Sequence, residues 1–421
     1  MVLGLAGILA CVPIALSAAQ PGLSGAVDLV NDGAAMRAAK VPMVVLYSQA
    51  GCSYCDEARA YIVPMANEPA NAKRALFRQI DIDSDAALTD FAGQSTTHRR
   101  LAGQLGARVT PTVSVLDAAS FKTLASLRMG KMPHNVQVSP DGKFAWVTNN
   151  GEPGQTTDAS VHKGMAQGAH EAMAQPGAVW VIDTSTNAVV AQVPVGMHPA
   201  HVVVSPDGRF AYVTNGGDNT VSVIDTSARS LVATIPVGQF PHGLRISPDG
   251  KEVYVANLKG GSVSVIDTTS QKEVAKVPAG KGPAQTGFTP DGRFAFVSLS
   301  QENAVAMIDP ATRKVVRKIR VGAGPIQLYA TPDSRTLLVA NQGTRKKPGK
   351  TVSLIDLQSF KVAKIVVTGA GAHGVVVDRD GRFAYVTNIY ANSVSVLDVT
   401  ERRVTKTVPV GKSPNGISIT P

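Results

Sequence analysis

The sequence predicts a mainly-β protein: a closed ring of seven repeated four-stranded units, preceded by a smaller α/β segment that lacks a final helix. Three observations predict it. From about residue 113 onward the 421-residue chain repeats the words "VSPDGRFAYVTN", "VSVIDT" and "VATIPVG", and self-similarity at a fixed period marks an array of like units. Charged residues make up only 17% of the chain while Gly (39) and Pro (26) are abundant, a balance that suits turns and strands better than helices. Before the repeats, a short apolar strand runs directly into a Cys-x-x-Cys and a helical pattern, so a second, different core is expected in a chain of this length.

At the N-terminus, "MVLGLAGILACVPIALSAAQ" is apolar and uncharged through Ala19 and then turns polar. Residues 1–19 are expected to be a secretory signal without its usual basic start, with an uncleaved anchor as the alternative. The mature protein is then periplasmic or secreted, with no membrane span after cleavage, since no other apolar run is long enough. Cleavage would leave Cys52 and Cys55 as the only cysteines, too few for a disulfide framework and suited to redox or metal chemistry.

In "VPMVVLYSQAGCSYCDEARAYIV" a strand over Met43–Tyr47 breaks at Gly51, and a helix begins at Cys52. Free amide groups at a helix N-terminus favour thiolate over thiol, which makes Cys52 the attacking nucleophile. Cys55, one turn on, shares its face and can resolve a mixed disulfide. Half a zinc site is the other reading of such a pair; it is weakened because no second Cys-x-x-Cys exists and His98 is the only histidine of this part. A strand "ALFRQIDID", a helix around "TTHRRLAGQLG" and the strand "ARVTPTVSVLD" follow. This order resembles the thioredoxin family, in particular its exported members. The resemblance implies a thioredoxin-like domain over 38–112, thiol-disulfide oxidoreductase activity, and a cis proline at Pro111 that helps hold a substrate strand. No terminal helix follows, so the module is expected to lack its last element.

Beyond it, the proline of "SPDG" recurs as Pro140, Pro206, Pro248, Pro290 and Pro332, with Arg379 in the degenerate "DRDG" and Pro421 at the end, at intervals of 66, 42, 42, 42, 47 and 42. A unit of 42 residues with four short strands and turn signals between them is a propeller blade. The words, with "YVTN" itself at 212–215 and 385–388, resemble the YVTN family of seven-bladed β-propellers, over residues 113–421. The chain ends on "NGISITP", an innermost strand alone, whereas "TVSVLD" and "FKTLASLRMG" match the two outer strands. Ring closure is therefore expected to pair the last strand with that early hairpin in a seventh blade. Its second strand would be absent or improvised from "GARVTP".

Strands of alternating direction bring every "VGxxP" connection and every loop after "YVTN" to one end of the ring. The fourth residue after each repeat glycine is His134, Ala200, His242, Ala284, Ile326, His373 or Asn415; His201 and His198 are close by in the second unit. The long interval holds an insertion, "HKGMAQGAHEAM", with His162 and His170. Seven of eight histidines thus gather at one end. A copied motif, or histidines buried for structure, would account for part of this. Neutral imidazole with thioether nearby suits copper or another late transition metal.

The net charge of +10 is scattered through the repeats, which argues against nucleic acid as a partner. The expected function is an exported, monomeric binding protein that takes a metal, a metalloprotein partner or a small ligand at its histidine-rich mouth, with a redox module attached. A propeller metalloenzyme with copper or haem at the rim, or a pure interaction scaffold, are the alternatives.

Overall fold

A computed structural model describes residues 23–41, 43–48, 112–130, 132–150 and 176–420, with shorter pieces between 62 and 101. The leader, Cys52, Cys55, Pro111, the "GARVTP" segment and the insertion with His162 and His170 lie outside the described residues. The chain divides into two compact units, Met1–Val109 and Thr110–Pro421.

In the first unit, Asp28 accepts the amide hydrogens of Val30 and Asn31 and so caps helix α1 (Leu29–Ala39); Lys40 ends it in the left-handed region. Such a cap satisfies donors that the first turn leaves without partners. Strands β1 (Met43–Ser48) and β2 (Leu76–Asp81) pair in parallel, with the short helix α2 (Pro69–Ala72) between them in sequence. Strands β3 (Ala87–Thr89) and β4 (Ser95–Thr97) pair antiparallel. Ala26, Leu29, Ile80, Leu88 and Leu101 form a small core, and Arg78 clamps the half-buried side of α1 through Asp32, at 2.5 and 2.9 Å.

The second unit is a β-propeller. Six four-stranded antiparallel sheets follow one another along the chain. Their innermost strands are Pro133–Val138, Pro199–Val204, Pro241–Ile246, Pro283–Phe288, Pro325–Ala330 and Ala372–Val377. The turn residues explain the regularity. In "SPDG", the Ser205 hydroxyl donates to Asp207 at 2.5 Å and accepts from the Phe210 amide at 3.0 Å, while Gly208 takes a φ of 72° that a side chain would strain. In "IDTS", Asp225 accepts from the Ala228 amide at 2.7 Å, and the residue after it, Arg229, turns left-handed.

The apolar faces close between neighbouring blades rather than within one. Val203, Tyr212, Val221 and Val223 of the second blade share a cluster with Leu244, Val253 and Val255 of the third, and the same interleaving repeats around the ring. Fully burying one such aliphatic or aromatic side chain is worth about 1.5–3 kcal/mol. A single blade would expose both faces and could not stand alone.

The expected seventh blade, made of the last strand and the early hairpin, is corrected: among the described residues six four-stranded sheets form and a seventh blade does not. Hairpin β5 (Thr112–Leu116) and β6 (Thr123–Arg128) stays a two-stranded sheet, and residues 411–420 join no ladder. The physical reason is that among the described residues no strand bridges the segment 411–420 to the hairpin. The gap between the sixth and first blades is filled all the same. A Cβ on Gly416 would stand 2.7 Å from Cα of Asn135 in the first blade, and one on Gly374 in the sixth would stand 2.7 Å from the Asn415 carbonyl. The Val138 amide donates to Ser418 Oγ at 3.1 Å. Farther out, Val113 and Leu127 of the hairpin pack against the Ala145, Val147 and Trp180 face of the first blade, and Lys406 of the sixth lies 4.3 Å from the Phe121 ring centroid.

Candidate metal centre

His134, His201 and His242 come from the innermost strands of three successive blades, and their rings meet. Ring centroids lie 5.3 Å apart for His134 and His201, 5.1 Å for His134 and His242, and 5.0 Å for His201 and His242. One ligating nitrogen from each falls within 4.8 Å of the other two. His201 is buried, and its Nε2 has no hydrogen-bond partner; other buried polar atoms share that state, His373 Nδ1 among them, and what sets His201 apart is the two further imidazoles beside it.

Backbone carbonyls hold two of the rings. His134 Nδ1 lies 3.1 Å from the Ala200 carbonyl and His242 Nδ1 lies 2.9 Å from that of Ala284. A carbonyl can only accept, so Nδ1 carries the proton and Nε2 keeps its lone pair, the arrangement that outer partners impose on metal-ligating imidazoles. The threonines of the "VTN" words at 147–149 and 213–215 fix the strands. Thr214 Oγ1 accepts from the His201 amide at 3.0 Å and donates to the His242 carbonyl at 2.6 Å. Thr148 Oγ1 likewise accepts from the Asn135 amide at 3.0 Å and donates to the Ala200 carbonyl at 2.7 Å. One hydroxyl therefore ties two histidine-bearing strands together.

Electrostatics keep the trio neutral. Burial, with repulsion from neighbouring imidazoles, pushes His134 and His201 well below the ordinary histidine range, and burial lowers His242. His373 is buried too and falls to about 3, chiefly through desolvation and then through His242. Its charge would be felt at His134 and His201, which places it on the same end of the ring as a fourth imidazole outside the converging three. His198 is half-buried in the left-handed region and packs against Phe240 at 5.6 Å instead. Nitrogens that lie within 4.8 Å of one another would stand about 3.3 Å apart around a tetrahedral ion at usual zinc or copper bond lengths.

Below the trio, a residue not singled out from the sequence crosses between blades. Arg245, three positions after His242, donates to Gln137 Oε1 of the first blade at 3.3 Å and lies over the Tyr329 ring of the fifth at 5.7 Å. Only its place in a repeat marks it, and repeats at that place hold Gln, Val, Gly and Tyr as readily.

Residues 172–286 match the cytochrome D1 heme domain family and residues 330–420 the YNCE-like beta-propeller family. A curated relative, antigen Lp49 of Leptospira interrogans, is 29% identical over 109 residues, 26% of this chain and 22% of that protein, so the chain spans under a quarter of its length. Among solved structures, hydrazine synthase of Kuenenia stuttgartiensis is similar with a TM-score of 0.56 at 23% identity, covering 70% of this chain and 92% of that one. A functionally unknown protein from Desulfotomaculum acetoxidans DSM 771 gives 0.55 at 16%, covering 73% and 95%. Dihydro-heme d1 dehydrogenase NirN in complex with DHE gives 0.52 at 19%, covering 72% of each. At these identities the likeness is one of fold.

Proposed function

We propose that the chain is an exported propeller protein that binds one late transition-metal ion, copper foremost, through His134, His201 and His242. The observation that carries this reading is the convergence of three neutral imidazoles from three blades, one with an unpartnered buried nitrogen. Copper heads the divalent affinity order at nitrogen sites. Three protein nitrogens leave a further coordination position for an outside ligand, as open metal sites do, so the propeller presents its ion to a partner protein or small molecule. His373 is the second-rank imidazole that can approach when that position is free.

The cytochrome D1 heme domain match over 172–286 favours a second reading, in which haem sits at the same end. The trio fits that group poorly. Rings 5.0 to 5.3 Å apart enclose an ion-sized point, and a flat macrocycle could use one of them as an axial ligand but could not lie between them. Cys52 and Cys55 complete the proposal as a thiol-disulfide pair in the first unit; insulin reduction that is equal in Cys52→Ser and the parent protein would remove that part.

Metal analysis of the untagged protein tests the main claim. One copper per chain is expected, with an electron paramagnetic resonance spectrum showing nitrogen coupling, and both are expected to vanish in His201→Ala. Equal copper in that variant, or absorption of a bound haem in place of copper, would overturn it.

A further inference from the structure

We infer that the propeller axis holds a second, anion-binding element next to the histidine trio, built on Arg245, and that its ligand is a small carboxylate-like anion occupying the position the three imidazoles leave open. This deepens the metal reading and rests on it for the second contact of the anion.

Arg245 stands on the innermost strand of the third blade and is half-buried. Its guanidinium reaches the first blade at Gln137 and the fifth at Tyr329, so it sits where inner strands from three sides face one another. Removal from water lowers its pKa, and among the described residues no Asp or Glu pairs with it. The acidic side chains of the repeats are committed elsewhere: Asp207 and Asp249 to their turn hydroxyls, Glu252 to Arg313.

A guanidinium has five donors in a planar fork. One is engaged here, at 3.3 Å and by a neutral amide. A desolvated cation without a counter-charge is costly unless an anion completes it. Arg245 follows His242 by three positions on one inner strand, and its partner Gln137 follows His134 by three on another, so the cation lies along the axis from the trio. An ion bound by three neutral imidazoles adds positive charge without cancelling any. Both charges then favour one anion, and a carboxylate matches the fork with two oxygens while offering one to the metal.

Formate is the probe, in chloride-free buffer, added to the copper-loaded and the metal-free full-length protein with calorimetry and copper spectroscopy as readouts. Formate is expected to bind the copper-loaded protein and shift its spectrum. Arg245→Met is expected to keep one copper per chain and to bind formate roughly 10- to 100-fold more weakly, the usual loss for a charge-assisted hydrogen bond. Gln137→Leu, which leaves Arg245 in place, should bind formate at least as well as the parent. If the Met variant does not fold, Arg245→Lys serves, with weaker but measurable binding expected. Copper bound with formate affinity unchanged in both Arg245 variants, or with no formate binding, overturns this inference and leaves the metal site standing. Arg245-dependent formate binding without any copper supports the anion site and removes the metal reading; neither ligand bound removes both.

Discussion

At the residue scale, the four buried or half-buried imidazoles make a statement about acid as well as about metal. Their folded-state pKa values are depressed by burial and mutual repulsion, whereas in the unfolded chain they return to about 6.5. Between the two values the unfolded state binds more protons, so stability is complete above about pH 6.5 and is lost as pH falls. For His373, whose window runs down to about 3, the loss is on the order of 1.4 kcal/mol per pH unit. Urea unfolding at pH 7, 5.5 and 4.5 is expected to show falling stability, with a shallower decline in His373→Phe. An identical slope in the variant would mean that this ring does not titrate as described. The same low values remove proton competition at the metal, so copper affinity is expected to be nearly level from pH 8 to 6 by competition titration.

At the element scale, the repeat words earn their regularity at blade junctions. Thr214 joins the His201 amide to the His242 carbonyl and is not itself one of the three converging side chains. Thr214→Val is expected to weaken copper binding by about tenfold, the usual cost of losing an outer partner, with Thr214→Ser restoring it; a spectrum and affinity equal to the parent would show that the strands hold their spacing unaided. A second junction is steric. A Cβ on Gly238 would stand 2.4 Å from Cγ of Asn257, whose amide donates to Ser262 and Ser264 at 3.1 and 2.9 Å. Gly238→Ala should cost about 1–3 kcal/mol by overpacking, and Asn257→Ala a similar amount through its lost buried hydrogen bonds. The double variant should cost less than the sum, because removing the amide makes room for the methyl; strict additivity in a denaturation cycle would argue against the contact.

At the scale of the whole propeller, closure rests on residues that belong to no ladder. The segment 415–418 touches the first blade through Ser418 and Gly416 and the sixth through Asn415, whose carbonyl accepts from Thr387 at 2.9 Å. Since each apolar layer is shared by two blades, opening one junction exposes both of its faces. Deletion of residues 411–421 is expected to lower the melting temperature by at least about 5 °C and to raise proteolysis within the first blade. An unchanged melting curve would show that hairpin β5–β6 closes the ring by itself. Truncation would leave the strands of His134, His201 and His242 in place, so copper binding should survive more fully than stability does.

Much of this was readable beforehand. The 42-residue period and the turn words determined four-stranded blades, because a strand, a Gly turn and a β-branched strand have few ways to bury one face. The phase of each histidine relative to its repeat glycine was enough to bring His134, His201 and His242 to one end, since strand direction alternates by necessity. Other features depended on neighbours that the chain order does not reveal. Six blades among the described residues without the expected seventh, the separation of His198 from the trio, the threonine ties and the reach of Arg245 across to Gln137 and Tyr329 all follow from which strands face each other once the ring has closed. Local sequence sets the phase of a residue along its own strand. What stands 3 to 5 Å away across a blade junction is set by the packing of residues tens of positions apart, and only the tertiary structure could decide it.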